Sequence, residues 1–283
     1  MKYNTEWTDF EVLRTGKGEK LERWGKVTLL RPDPQVIWGE EISEKKADAH
    51  YHRSTAGGGE WKYLKQIPAE WQIGWRNLKF LVKPMGFKHT GLFPEQAVNW
   101  SMMIDLIKKA NRPINVLNLF AYTGGATIAC ASAGASVTHV DSAKNMVERC
   151  KQNAKLSGLE NAPIRYIVDD CFKFVEREIR RGKKYDAIIM DPPSYGRGAN
   201  GEVWKLEDNI ADFVKLCEKV LSDKPLFVLI NSYTTGLGAT AMENVLKVAL
   251  SGKKGKYESY EVGLPCTDGL ILPCGNSSVF IGE

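Results

Sequence analysis

Asn115-Val116-Leu117-Asn118-Leu119-Phe120-Ala121-Tyr122-Thr123-Gly124-Gly125 decides the fold. Its first half is an apolar run of strand length, and its second half is a turn of small residues. A small-residue helix from about Ala126 to Ala133 should follow. The same alternation continues downstream. Ser136–Val140, Ile164–Val168, Ala187–Met190 and Leu226–Asn231 read as strands, and Ser142–Leu156, Cys171–Arg181 and Asp208–Leu221 as helices. Apolar strands alternating with helices imply βαβ units and a doubly wound, mostly parallel α/β sheet. Tyr257–Glu283 reads as two further strands around a Gly/Pro-rich turn.

The region before this is different. Six of the eight tryptophans (Trp7, Trp24, Trp38, Trp61, Trp71 and Trp75) lie in the first 80 residues, among short β-branched runs such as KVTLLRPDPQVIW. Such texture predicts a small β-rich N-terminal domain over 1–83, with most of the tryptophans in its core. Ala56-Gly57-Gly58-Gly59 reads as a flexible loop. Residues 84–283 form the second domain.

Composition narrows the function. At 43% hydrophobic residues the chain can build a core, so disorder is not expected. A net charge of +5 permits an anionic partner without requiring one, and excludes a histone-like basic protein. The six cysteines form no CxxC pair, and the four histidines show no metal-ligand pattern. Free thiols in a reducing cytoplasm and no metal centre are the expectation. No apolar run approaches the ~20 residues of a membrane span, and MKYNTEWTDF lacks an apolar signal core, so neither anchoring nor export is expected.

In a doubly wound sheet, ligands bind at the carboxyl ends of the strands. At the first, Gly124-Gly125 permits close backbone approach and offers helix N-terminal amides, though an ordinary tight turn would look the same. At the second, Asp141 lies 17 residues beyond Gly124 and can accept both hydroxyls of a ribose, or cap the next helix. Ser142 can cap equally well, which would release Asp141. The third end, Asp169-Asp170-Cys171-Phe172, puts a carboxylate where an adenine amino group could donate and a ring where it could pack. A helix cap is the alternative. The fourth, Asp191-Pro192-Pro193-Ser194-Tyr195, is a rigid, extended lip carrying an acid and an aromatic ring. Tyr195 can stack on a base or pack on its own loop. A nicotinamide enzyme would want GxGxxG after the first strand, and Tyr122–Ala126 does not supply it.

The ordered set resembles the class I S-adenosylmethionine-dependent methyltransferases, and within them the ribosomal RNA large-subunit methyltransferase group that carries DPP-Ser/Lys-aromatic. Asn118–Gly125, Asp141, Asp170–Phe172 and Asp191–Tyr195 match that group's motifs in order. Gly86–Gln96 is similar to its TG-x-F-x-(D/E)-Q segment, which folds over the methionine end of the cofactor. The resemblance covers about residues 84–283 and implies a seven-stranded sheet with its last strand antiparallel. It implies S-adenosylmethionine as cofactor, held by Thr90, Phe93, Gln96, Phe120, Ala121, Tyr122, Thr123, Gly124, Asp141, Ser142, Asp170, Cys171, Phe172 and Asp191. Asp191, Pro192 and Tyr195 would act on the acceptor. RNA, ribosomal RNA first, is the expected partner, touched by Lys88, Arg197 and the Trp-rich region. Protein or small-molecule acceptors and a non-catalytic RNA-binding relative stay as alternatives.

Relatives that methylate cytosine at C5 attack with a cysteine at the fourth or fifth strand end. Here those ends read Asp191–Tyr195 and Leu229-Ile230-Asn231-Ser232-Tyr233, and neither holds one. Direct transfer to nitrogen is therefore expected. Cys266 and Cys274, in the C-terminal turn, are the two thiols whose folding back into the site the sequence leaves open.

Overall fold

The computed structural model describes residues 1–54, 58–197 and 203–283. Thr55–Gly57, with two residues of the expected glycine loop, lie outside the described residues, as do the side chains of Phe87 and Arg197. Packing divides the chain into two compact units. One comprises Lys2–Val98 and Gly263–Cys274, the other Asn99–Val262 and Gly275–Glu283 with Met1. This division follows packing, whereas the boundary at 83/84 followed sequence texture.

In the first unit, β1 (Phe10–Gly16), β2 (Glu19–Trp24), β3 (Val27–Pro32), β4 (Ala49–Arg53) and β5 (Gly59–Tyr63) form one sheet in sequence order. Only β3 and β4 run parallel. Gly59 opens β5 and so belongs to a strand, not to the loop. A separate hairpin joins β6 (Trp71–Trp75) to β7 (Leu78–Val82). Trp24 and Trp75 are fully buried, and Trp71 donates its indole N–H to the Trp24 carbonyl at 2.8 Å. These aromatics are core, as their texture suggested. Lys88 is also engaged inside the unit, its Nζ donating to the Pro32 carbonyl at 2.8 Å. Burial lowers its pKa to about 8.

The second unit is built on α1 (Ala97–Lys109), β8 (Asn115–Leu119), α2 (Gly125–Ser132), β9 (Ser136–Asp141), α3 (Lys144–Leu156), β10 (Ile164–Val168), α4 (Cys171–Arg180) and β11 (Ala187–Met190). A short hairpin of β12 (Tyr195–Arg197) and β13 (Val203–Lys205) leads to α5 (Leu206–Glu218), β14 (Phe227–Ser232), α6 (Ala239–Ala249), β15 (Gly255–Pro265) and β16 (Ile271–Gly282). The sheet has seven strands in the order β10-β9-β8-β11-β14-β16-β15. β10 through β14 are parallel, and β16 runs antiparallel to β14. The expected fold is therefore present. Its order reverses at β8, whose carboxyl end faces the crevice where such sheets take ligands.

Val, Ile and Leu dominate the central strands because both faces are covered. Leu117, Leu119, Ile188, Met190, Val228 and Ile230 are buried with Phe174, Phe213 and Leu246 from the helices. Asn99, fully buried on α1, joins three strands by hydrogen bonds. It receives the Tyr260 hydroxyl at 2.6 Å and donates to Ser277 Oγ at 2.9 Å and Asn231 Oδ1 at 3.3 Å. At the turn into α2, an added Cβ on Gly124 would meet Cys150 Sγ at 2.1 Å, and one on Gly125 the Trp100 ring at 2.5 Å. Gly124 also has φ 87°, in the left-handed region. No side chain fits at either position. Among the described residues no helix is long and apolar enough to cross a membrane.

A buried ion pair makes the first unit sensitive to acid. Glu22 accepts from Arg31 Nε at 2.7 Å and Nη2 at 2.9 Å, and Lys20 Nζ lies 3.5 Å away. Burial alone would raise the Glu22 carboxyl. Arg31 and then Lys20 outweigh it and hold the group below its ordinary 4.5. With a depressed native pKa the unfolded state binds more protons. The contribution is thus complete above pH 4.5 and is lost as pH falls through the lower native value. Urea midpoints measured from pH 7 to pH 3 should drop steeply at the acid end, and Glu22→Gln should be less stable at neutral pH with a flatter profile. An unchanged acid slope in the variant would contradict the assignment.

Candidate functional site

The backbone leaving β8 is unusual. Phe120 (φ 55°) and Tyr122 (φ 49°) are both left-handed without being glycine. Each such residue costs roughly 1–2 kcal/mol, so the surroundings must hold them. They do so with hydrogen bonds from three successive amides. Phe120 N–H donates to Cys171 Sγ at 3.3 Å, Ala121 N–H to the Val140 carbonyl at 3.0 Å, and Tyr122 N–H to Asp141 Oδ2 at 2.8 Å. The turn closes with Gly124 N–H on the Ala121 carbonyl at 3.0 Å. Thr123 is buried and its carbonyl accepts from Asn153 at 3.1 Å.

Asp141 bridges the ends of β8 and β9. Its second oxygen, Oδ1, accepts from the Ala143 N–H at 2.8 Å. Burial raises its carboxyl pKa, and the two N–H groups oppose that rise. The expectation that Ser142 caps the next helix and releases Asp141 is corrected. The α3 cap position is Ala143, which makes no side-chain bond, Ser142 is exposed, and Asp141 itself takes the Ala143 amide. An ionised carboxylate has about four acceptor directions, so each oxygen keeps capacity for one more donor.

At the end of β10 the capping alternative holds for Asp170. It is the N-cap of α4 and accepts from Lys173 N–H at 2.9 Å. Asp169 pairs instead with Arg177. Phe172 packs on Phe213 with centroids 4.3 Å apart and on Trp204 at 5.7 Å. Phe120 meets the same Trp204 at 5.5 Å. Trp204 had no signal in the sequence that marked it. It donates its indole N–H to the Pro193 carbonyl at 2.6 Å and so ties this aromatic cluster to the Asp-Pro-Pro lip.

The lip itself follows buried Met190. Asp191 N–H reaches toward the Leu119 carbonyl at 3.5 Å, Pro192 is buried, and Ser194 Oγ accepts from the Thr234 hydroxyl at 2.7 Å. The Ser194 carbonyl accepts from Leu206 N–H at 3.0 Å. Tyr195, at the start of β12, is 51% exposed.

Phe120, Tyr122, Asp141, Cys171, Phe172 and the lip are thus joined by direct contacts. Thr90, Phe93 and Gln96 belong to the first unit. There Thr90 is buried with its hydroxyl on the Leu92 carbonyl at 3.4 Å, Phe93 packs on His89 at 5.6 Å, and Gln96 lies buried in the short turn Pro94–Gln96. Burial, then Arg31, lowers the His89 pKa to about 4, which keeps that ring neutral at pH 7.

Comparison with known proteins places the chain in a family. The model of the S-adenosylmethionine-dependent methyltransferase family matches residues 21–247. The crystal structure of the SAM-dependent methyltransferase from Agrobacterium tumefaciens superposes with a TM-score of 0.92 at 35% identity, covering 99% of this chain and 92% of that one. The ribosomal RNA large subunit methyltransferase K/L of Shewanella frigidimarina is 32% identical over 156 residues, which is 54% of this chain and 21% of that protein. The ribosomal RNA large subunit methyltransferase I of Aeromonas salmonicida is 33% identical over 168 residues, 59% of this chain and 40% of that one. The chain therefore spans less than half the length of these two relatives.

The thiols bear on what the site can do. Cys130, Cys150, Cys171 and Cys217 are buried, and burial pushes each thiol up. Cys266 and Cys274 fall in the first unit. Burial raises Cys266 to about 11 and Cys274 well above its ordinary value. A thiolate nucleophile needs the opposite environment. In a disulfide-exchange assay at pH 8, native protein should release colour for at most one of its six thiols, the half-buried Cys274, and for all six in guanidinium. Rapid reaction of two or more in the native state would show a reactive cysteine.

Proposed function

The chain belongs to the family of S-adenosylmethionine-dependent methyltransferases, and we propose that it places the methyl group directly on a nitrogen of an RNA base, with ribosomal RNA the first candidate. The observation that carries this is the lip Asp191–Tyr195, rigid through two prolines, held by Trp204 and Thr234, and ending in an exposed aromatic ring. Exposed aromatics stack on bases with about 1–3 kcal/mol each. The chain's similarity to two ribosomal RNA large subunit methyltransferases supports the same acceptor.

The residues at the strand ends suit a nucleoside cofactor. Gly124 and Gly125 leave room for close backbone approach, Asp141 retains acceptor capacity for ribose hydroxyls, and Asp170 and Phe172 stand beside it for the adenine. Phe120, Ala121, Tyr122, Thr123, Ser142 and Cys171 complete this part. When bound, S-adenosylmethionine supplies a methyl already activated on a sulfonium, so the protein mainly has to align the acceptor. The Asp191 carboxylate and Pro192 carbonyl accept hydrogen bonds from the acceptor's amino group. They orient its lone pair toward the methyl, and Asp191 draws off the proton as the bond forms. Held there, the cofactor would supply the methyl and would retain the electron pair of its sulfur–carbon bond. Transfer to cytosine C5 would need a cysteine thiolate, and the buried thiols argue against one. We place the reaction in the cytoplasm, where free thiols persist.

The test is incubation of the full chain with labelled cofactor and ribosomal RNA from cells lacking it, followed by nucleoside mass spectrometry. The expected product carries one N-methylated base. Asp191→Asn should lower turnover about 100-fold, the scale of a misaligned acceptor, with little change in cofactor affinity. Asp141→Ala should weaken S-adenosylhomocysteine binding in calorimetry by about 10- to 150-fold, the loss of a charged hydrogen-bond partner. Label found only in protein or small molecules, or on C5 of cytosine, would overturn the proposal.

A further inference from the structure

The first unit brings together a group that the sequence spacing does not advertise. His50 and His52 stand two apart on β4, so their side chains leave the same face of the sheet. Their ring centroids are 3.9 Å apart. Glu44 begins the short turn Glu44–Lys46 that precedes β4. Its Oε2 lies 3.3 Å from His50 Nδ1 and 3.7 Å from His52 Nε2. One ligand atom from each of the three residues lies within 4.8 Å of the other two.

We infer that Glu44, His50 and His52 form a binding site for a divalent transition-metal ion, Zn²⁺ foremost.

Three observations support this. The first is distance. Tetrahedral zinc with bonds of about 2.0–2.1 Å holds its ligand atoms roughly 3.3–3.4 Å apart. The Glu44–His50 separation already has this value, and the Glu44–His52 one is slightly longer. His52 is exposed, so its ring can close the difference by a small rotation.

The second is the far side of His50. Its Nε2 is 2.6 Å from Glu19 Oε1 on β2. A carboxylate there keeps the proton on Nε2 and turns the Nδ1 lone pair toward Glu44. This is the support that metal-bound imidazoles usually have. A bare lone pair facing a carboxylate oxygen at 3.3 Å is repulsive, so either a proton or a metal cation lies between them.

The third is what a proton would leave undone. Protonation of Nδ1 would make His50 an imidazolium clamped by Glu19 and Glu44, with no part for His52. At 3.7 Å, His52 Nε2 is beyond hydrogen-bond length from Glu44 Oε2. A metal ion uses all three side chains at once. Lys62 binds the other oxygen of Glu44, Oε1, at 2.7 Å and fixes which oxygen faces the imidazoles. Two imidazoles and one carboxylate favour zinc and its neighbours over Mg²⁺ or Ca²⁺. With three protein ligands, His52 among them exposed, the fourth position falls to water. Bound there, the ion ties β4 and the Glu44 turn together and, through Glu19, β2.

The test uses the full chain, free of any affinity tag, stripped with chelator and titrated with ZnCl₂ in the presence of excess Mg²⁺. Calorimetry and metal analysis should give one equivalent of zinc per chain, with a rise in melting temperature. His52→Ala, at an exposed position, should fold as the parent does by circular dichroism and lose the equivalent. Glu19→Gln should retain it with affinity reduced about 10- to 100-fold, the usual effect of removing an outer partner. Absence of stoichiometric binding to the parent chain would overturn the site. So would an equivalent bound with unchanged affinity by both His52→Ala and Glu44→Gln, because the zinc would then sit elsewhere.

Discussion

Leu119, Ile189 and Leu229 sit in adjacent parallel strands and expose almost no surface. Every peptide group around them is removed from water, and an unpaired one there would cost about 1–3 kcal/mol. The ladder between β8, β11 and β14 answers that demand within the strands. Where the ladder ends, the demand continues, and it shapes the loops. The Phe120, Ala121 and Tyr122 amides cannot continue the strand, and each finds an acceptor at the end of β9 or the start of α4 instead. The two left-handed residues are the conformational cost of meeting those acceptors.

The polar groups at the strand ends therefore hold the framework as well as offering themselves to a ligand. Asp141 fastens Tyr122 and Ala143, and Asp170 starts α4. A reading in which each aspartate is either a cap or a ligand treats as exclusive what a carboxylate with several lone pairs can combine. The same economy appears at the lip, where the Pro193 carbonyl is held by Trp204 and the Ser194 hydroxyl by Thr234. Pre-set positions of this kind avoid the entropy of ordering a loop when a substrate arrives.

The sequence was most legible where one physical rule acts alone. Buried parallel strands need unbroken apolar runs, so Ile164–Val168 and Ala187–Met190 were read to the residue. Helices α1 and α6 were not read at all. In α1 the buried face carries Asn99, whose hydrogen bonds reach β14, β15 and β16, and a polar residue there breaks the apolar period. In the first unit the tryptophan texture gave away a β-rich core. The Glu22–Arg31 pair and the Glu19–His50 contact depend on how separate strands are placed in the sheet, which no linear spacing encodes. Trp204 stayed hidden for a related reason. Its role comes from its indole bond to Pro193 and its ring contacts with Phe120 and Phe172, which the linear sequence does not show.

The outer edge of β1 has a consequence for how the chain is made. Val12 bridges Cys266, and the Leu13 carbonyl accepts from the Thr267 hydroxyl at 2.6 Å, a partner 254 residues further along. At a synthesis rate of about 5–20 residues per second, the ribosome needs roughly 13–50 s to deliver that partner. Throughout that interval β1 is an unpaired strand edge, the kind of surface that templates wrong pairings between nascent chains. The unit synthesised first is thus completed only when the chain has reached Cys274, close to its end, and slow translation or crowding of polysomes should burden its yield more than its final stability.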